Sequence, residues 1–198
     1  MKPAIVVTQQ MGSHGGSIAG ETATLLDYRF VTGTGFKKAA QRHGLHGSEW
    51  RWLEQGWYRL FARMEEEHPT VRLEILRPTL VEDCARPRGT LFLGRGVEEL
   101  LRGHVPLIHG HVVAPFEVRA ARIAQQVNLL RSGAEERVRH SDEENRWYYR
   151  TFFGINWDDL LRPDIVIDTG RVSIAEGTQM LAEVLKAFVP RDNVPCPR

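Results

Sequence analysis

Ala4–Val7 is a short apolar run rich in β-branched residues, which reads as a buried strand. Gln9 and Gln10 end it, and three glycines then fall within the five residues Gly12–Gly16. That density suits neither a strand nor a helix interior. From Ile18 the positions Ile18, Ala19, Ala23 and Leu26 form a helical apolar stripe. A strand, a glycine-rich loop and a helix, in that order, open many phosphate-binding α/β folds.

The middle of the chain is wetter and helical. Phe36–His43 is a short amphipathic segment, and Trp50–Glu67 is a longer one with Trp50, Leu53, Trp57, Leu60 and Phe61 on one face. Large aromatics at this spacing indicate packing, and an exposed tryptophan-rich face would leave a homo-oligomer open. Pro78 separates this region from a short helix predicted over Leu80–Ala85. An α/β rhythm follows: strand Thr90–Leu93, helix Val97–Leu101, strand Pro106–Val113, then a helix starting at Pro115. Phe116, Ala120, Ile123, Val127 and Leu130 should give that helix one buried stripe. A charged helix over Ala134–Phe153 and a strand at Asp164–Asp168 come next. Ser173 and Glu176 have capping-box spacing ahead of a last helix ending near Phe188. Pro190–Arg198 reads as a loose tail. Alternating strands and helices predict an α/β domain with a parallel sheet covered on both faces.

Composition narrows the function classes. The 198 residues suit one domain, and 42% hydrophobic with 26% charged residues is ordinary globular composition. A formal net charge of +1, from 26 basic and 25 acidic residues, argues against a dedicated nucleic-acid binder. Cys84 and Cys196 make neither a disulfide framework nor a zinc site. No apolar run approaches the roughly 20 residues that span a bilayer, and the first strand is not a signal peptide. A cytoplasmic address with no membrane and no nucleic-acid partner is therefore expected.

Three places carry candidate chemistry. Gly12, Ser13, His14, Gly15, Gly16 and Ser17 join a strand to a helix N-terminus, where unpaired N–H groups attract phosphate. The common fingerprint G-x-x-x-x-G-K-[ST] is not met, because Gly16 stands at the lysine position and Gln10 at the leading glycine. A plain strand-to-helix turn is the competing reading, and Ser17 is either a magnesium ligand or a helix cap. Arg95 directly follows a strand, at the edge where doubly wound folds bind ligands, and would grip a phosphate or make a surface ion pair. Arg139, Asp142, Arg146 and Arg150 share one helix face at steps of three, four and four. They form either a lid for a triphosphate or a solvated charged face. His109 and His111 alternate on one strand face without a third ligand, which makes a poor metal site.

Five segments, in order, resemble the cytidylate-kinase-like family of P-loop nucleoside-monophosphate kinases. Gly12-Ser13-His14-Gly15-Gly16-Ser17-Ile18-Ala19 resembles its Gly-Ser-Gly-Gly-Arg-Glu-Ile-Ala loop, and Leu93-Gly94-Arg95-Gly96 its Val-Gly-Arg-Gly. Val113–Arg119 is similar to Val-Ala-Pro-Leu-Glu-x-Arg, Tyr148–Trp157 to Tyr-Tyr-x-x-Phe-Tyr-Gly-x-x-Trp, and Asp164–Thr169 to its closing strand. The likeness covers the first 30 residues and Thr90–Phe188; Gly33–Arg88 does not align. It implies a P-loop NTPase-like three-layer α/β/α fold with five parallel strands, a helical monophosphate-binding lobe at 33–88 and a lid at 134–157. By the same resemblance Arg95 contacts the acceptor, and Asp27 and Arg29 either bind the monophosphate or form a turn ion pair. Asp142 would hold the arginine fork on the acceptor-binding side, and Arg139, Arg146 and Arg150 would neutralise the transferred group. Ser17 would hold magnesium. The implied activity moves the γ-phosphate of ATP, with Mg2+, to a nucleoside monophosphate such as CMP. The family itself lacks the usual lysine. His14 replaces a glycine of its loop, and Gly96 replaces the aspartate that follows the arginine in true cytidylate kinases. These departures keep a second implication open: a degenerate P-loop protein that regulates or scaffolds through bound nucleotide.

Overall fold

Four consecutive apolar residues need cover on both faces, and β1 (Ala4–Gln9) has it, with five of its six residues buried. The computed structural model describes residues 2–33, 76–159 and 163–188. In it β1 is the centre of a five-stranded parallel sheet of order β2-β3-β1-β4-β5. Its neighbours are β3 (Thr90–Leu93) and β4 (Leu107–Val113), in register Val6↔Phe92 and Val6↔His109. β2 (Arg29–Val31) extends the sheet on the β3 side and β5 (Ile165–Asp168) on the β4 side. Every connection therefore crosses over and carries helix, which makes three layers.

Alternation along the strands splits the core in two. Ile5 and Val7 face α1 (Gly15–Leu25) and α6 (Ile174–Ala187), in a cluster with Ile18, Leu91, Ile108 and Leu181. Ala4 and Val6 face the other side. There α2 (Arg77–Cys84), α3 (Val97–Leu101) and the end of α5 (Arg131–Phe153) supply Leu80, Leu101, Tyr148, Tyr149 and Phe152. A smaller cluster of Ala120, Ile123, Ala134 and Val138 joins α4 (Phe116–Val127) to the start of α5 as a helical hairpin. A 3-10 turn at Trp157–Asp159 leads toward β5. The Ser173–Glu176 capping box is formed: Glu176 N donates to Ser173 Oγ at 3.2 Å, and Ser173 N to Glu176 Oε2 at 2.8 Å.

Several boundaries differ from the sequence reading. α1 starts at Gly15 rather than Ile18, so two loop glycines belong to its first turn. The stripe expected along α4 stops early: Asn128 turns left-handed at φ 50, and Val127 and Leu130 are 39% and 83% exposed. β2 is only three residues long, too short to show periodicity. Pro78 sits in the first turn of α2 instead of ahead of it. Leu76, Leu80 and Cys84, in the last part of the lobe expected over 33–88, are core residues. The remainder of that lobe, 34–75, lies outside the described residues with both its expected helices, as do Cys196 and the tail. Burial pushes the Cys84 thiol up to about 12, with Asp83 adding to the shift, which keeps it an inert core residue. Among the described residues no helix is long and apolar enough to cross a membrane.

Candidate functional site

The carboxyl ends of parallel strands open on one edge of the sheet, and a cleft of about 990 Å³ lies there. The loop after β1 forms one wall. Gly12 has φ +80, and a Cβ there would come within 2.8 Å of the Arg119 carbonyl oxygen, so the position admits only glycine. Ser13 is buried and turns inward, its Oγ donating to Gln10 O at 2.7 Å. Thr169 Oγ1 donates to Ser13 O at 2.8 Å, and Arg122 Nη1 to Gly12 O at 3.1 Å. These bonds tie back the loop carbonyls.

His14, left-handed at φ 62, then turns the chain into α1, whose first three N–H groups have no partner within the helix. One of them, Gly16 N, donates to the Gln9 side-chain oxygen at 2.8 Å. Gly15 is needed where that side chain passes, because a Cβ would lie 2.6 Å from Gln9 Cβ. Gly12, His14, Gly16 and Ser17 line the cleft, while Ser13 and Gly15 sit behind it. Partial burial, and secondarily the Arg122 guanidinium, hold the His14 imidazole below its usual range.

Three arginines line the same cleft: Arg95 after β3, Arg122 on α4 and Arg137 on α5. Arg122 is fixed by Gly12 O and by Thr169, which accepts at Oγ1 (2.9 Å) and at its carbonyl (2.8 Å). The arginine row expected on α5 is a different one. Arg139 pairs with Glu135 at 3.4 Å and lies over the Phe116 ring, and Arg146 pairs with Asp158 at 2.7 Å. Arg150 is exposed, and none of the three lines the cleft. Asp142 is not at the acceptor side either; it closes a bidentate pair with buried Arg119 at 2.8 and 3.0 Å.

The reason is rotational. Ala134, Val138, Asn145, Tyr148, Tyr149 and Phe152 mark the buried stripe of α5. At about 100° per residue Arg139, Arg146 and Arg150 sit roughly 120–160° away from it, whereas Asn145 on the stripe and Arg137, Ser141 and Glu144 along its other side line the cleft.

Asp27 and Arg29 are placed at the opposite edge of the sheet. Arg29 pairs with Thr90 at the amino end of β3, its guanidinium meets Asp83 at 2.5 Å, and Asp27 pairs with Arg88. They form ion pairs at that edge, and neither lines the cleft. Ring nitrogens of His109 and His111 each meet the Thr8 hydroxyl at 2.8 Å. Burial lowers His111 to about 4, so it is a neutral core residue with Trp157 edge-on.

Arg95 is where the sequence placed it, and its surroundings are specific. Its Nη1 donates to Asn145 Oδ1 at 2.6 Å, and its guanidinium lies 5.2 Å from the centre of the Tyr148 ring. Tyr148 OH donates to Arg95 O at 3.3 Å, and Gly96 N donates to Tyr149 OH at 3.0 Å. Tyr149 OH in turn donates to Glu98 Oε1 at 2.5 Å. Gly96 has φ +80, and a Cβ there would fall 2.5 Å from Tyr148 Oη. An aspartate at this position is therefore excluded by the tyrosine that supports Arg95.

Arg122, Arg137, Asn145 and Gln9 escaped the sequence reading. Arg122 was the recoverable one, because it lies three residues after Arg119 on the same helix. Replacing Arg122 with alanine should weaken binding of a non-hydrolysable ATP analogue by on the order of 1.5–3 kcal/mol, the usual range for bonds to a charged group. Calorimetric titration checks this, and a change within about 0.5 kcal/mol would leave Arg122 a loop brace only.

Comparison with known proteins bears on the family and the fold. The model of the cytidylate kinase-like family matches residues 4–171. The cytidylate kinase of Halobacterium salinarum is 23% identical over 98% of this chain and 95% of its own length. An uncharacterized protein from Eubacterium ventriosum superposes with TM-score 0.69 at 13% identity, covering 94% of this chain and 99% of the other. Shikimate kinase from Acinetobacter baumannii superposes with TM-score 0.52 at 17% identity, over 93% of each chain. At these identities the solved structures show the fold, that of P-loop kinases.

Proposed function

The chain belongs to the cytidylate kinase-like family, and from that premise we propose that it moves the γ-phosphate of ATP to a nucleoside monophosphate such as CMP. The observation that carries the reading is convergence. Arg95, Arg122 and Arg137 come from three separate elements and meet in one cleft with the N-terminus of α1. Phosphoryl transfer needs mainly positioning and positive charge. In this reading the α1 amides and Arg122 take the donor's phosphates, Arg95 takes the acceptor's, and Arg137 approaches the group in transit.

Gly15 N and Ser17 N make no hydrogen bond among the described residues, which suits phosphate oxygens. The Ser17 hydroxyl lines the cleft and would ligate Mg2+, an ion that usually keeps waters and substrate oxygens as its other ligands. Bound Mg2+ would neutralise phosphate charge during transfer. The lid of this reading is shorter than 134–157. Tyr148, Tyr149 and Phe152 are core residues, so the moving part is the hairpin tip at about 128–141. Val127, Leu129 and Leu130, exposed at that tip, make few of the contacts that would hold it in place.

The test is ADP release by purified protein against nucleosides and nucleoside monophosphates. Monophosphate-dependent turnover, highest with CMP, UMP or dCMP, is expected. A second reading is favoured by one observation: Gln9 already fills the Gly16 N–H, beside a loop in which Gly16 replaces the lysine. That reading is a regulatory or scaffold protein that binds nucleotide without chemistry. Binding of an ATP analogue with no ADP release for any acceptor would select it.

A further inference from the structure

We infer that Asn145 and Arg95 form one composite oxyanion site, in which Asn145 is the second protein ligand of the acceptor's phosphate. The inference deepens the acceptor assignment of Arg95 and rests on it. Arginine only donates hydrogen bonds, so the amide atom 2.6 Å from Arg95 Nη1 has to be the oxygen. The orientation of the amide follows, and its NH2 group is left with two N–H donors. Asn145 is 5% exposed and lines the cleft, and its side chain makes no other hydrogen bond among the described residues. Arg95 likewise makes no other side-chain hydrogen bond there, although it is stacked on Tyr148 and its carbonyl is held by the Tyr148 hydroxyl. Its remaining N–H groups are oriented and unspent.

The contrast with Arg119 shows why the partner is an amide. Asp142 takes both Nη atoms of Arg119 and cancels its charge, which makes a closed structural pair. Asn145 takes one N–H and cancels nothing. A fixed cation with spare donors beside a nearly buried NH2 group matches the three oxygens of a phosphomonoester dianion. If the bond served only to fasten α5 to the loop after β3, it would duplicate the Tyr149 bond to Gly96, which already does so.

The experiment titrates CMP, inorganic phosphate, cytidine and a non-hydrolysable ATP analogue into wild type, Asn145→Ala and Asn145→Asp, each also in an Arg95→Ala background. Thermal melts confirm folding. Asn145→Ala should weaken CMP and phosphate about tenfold, and leave cytidine and the ATP analogue within about twofold. Asn145→Asp keeps an oxygen for Arg95 but removes the donors and adds a negative charge, so it should cost about 100-fold. Once Arg95 is alanine, Asn145→Ala should add less than about twofold, the signature of one shared site. Equal weakening of CMP and the ATP analogue, or an undiminished effect without Arg95, would make Asn145 structural and overturn the inference. Phosphate binding that depends on Asn145 in a protein that binds no monophosphate would keep the oxyanion site and overturn the acceptor reading. Wild type that binds neither phosphate nor CMP would overturn both.

Discussion

Asp142→Ala should destabilise the protein by about 3–5 kcal/mol, the cost of leaving a buried charge unpaired. The Arg119 side chain is 5% exposed and that of Asp142 13%. Their two bonds, at 3.0 and 2.8 Å, satisfy both Nη atoms, and Arg119 Nε donates to Ala114 O at 3.0 Å. Truncating Asp142 strands the guanidinium between α4 and α5. The damage should also reach the nucleotide loop, because the Arg119 backbone is the surface against which Gly12 closes. Urea unfolding of Asp142→Ala, Asp142→Asn and the double variant Arg119→Met/Asp142→Leu separates the cases. The asparagine keeps one acceptor and should lose less. The double variant removes both charges and should recover most of the stability. A loss below about 1 kcal/mol for Asp142→Ala would mean an exposed lid carboxylate, the role its place in the sequence first suggested.

That case shows where the sequence was legible. Thr90–Leu93 and Val97–Leu101 were read to the residue, because short apolar runs bounded by glycine admit few alternatives. The loop and Arg95 were also found, since both sit at the end of a strand and parallel strands end on one edge. The same rule, applied to Asp27 and Arg29, excludes them: Asp27 precedes β2 and Arg29 is its first residue, and residues at the start of a parallel strand lie at the amino edge. A resemblance in residue type carries no strand direction. On α5 the charged composition was plain but the phase was not. Ala134, Val138, Tyr149 and Phe152 fix which arginines face inward, and counting from those residues would have selected Arg137. Asn145 gives no such signal. A neutral amide in a charged helix gains meaning only when Arg95, 50 residues earlier in the chain, is placed against it.

Glu98→Gln should stabilise the protein increasingly as pH rises, gaining about 3 kcal/mol relative to wild type between pH 4.5 and 8. Glu98 is fully buried in the first turn of α3, three residues after Arg95. Loss of hydration is the main force that raises its carboxyl to about 7 from 4.5; the Tyr149 hydroxyl and backbone N–H groups offset this only in part, and Glu99 adds to it. Its Oε2 has no hydrogen-bond partner, which suits a protonated acid better than a carboxylate. Between 4.5 and 7 the folded protein holds a proton that the unfolded chain has released. Stability therefore falls as pH rises through that window and stays low above it. Glutamine has no proton to lose, keeps an oxygen for Tyr149 and removes the slope. His111, lowered to about 4 by burial, acts in the opposite sense, losing stability as pH falls from 6.5 toward 4. Because both proteins carry it, His111 cancels when the variant is compared with wild type at each pH. The measurement is a series of urea melts from pH 5 to pH 8.5. Parallel stability curves for the two proteins would mean that Glu98 is ionised at its usual pH and that the carboxylate is solvated. A gap that opens between pH 5 and 7 and then stays constant would confirm a neutral acid beneath the Arg95 loop at low pH. Acceptor affinity measured across the same range would show whether the charge appearing at Glu98 is felt at Arg95.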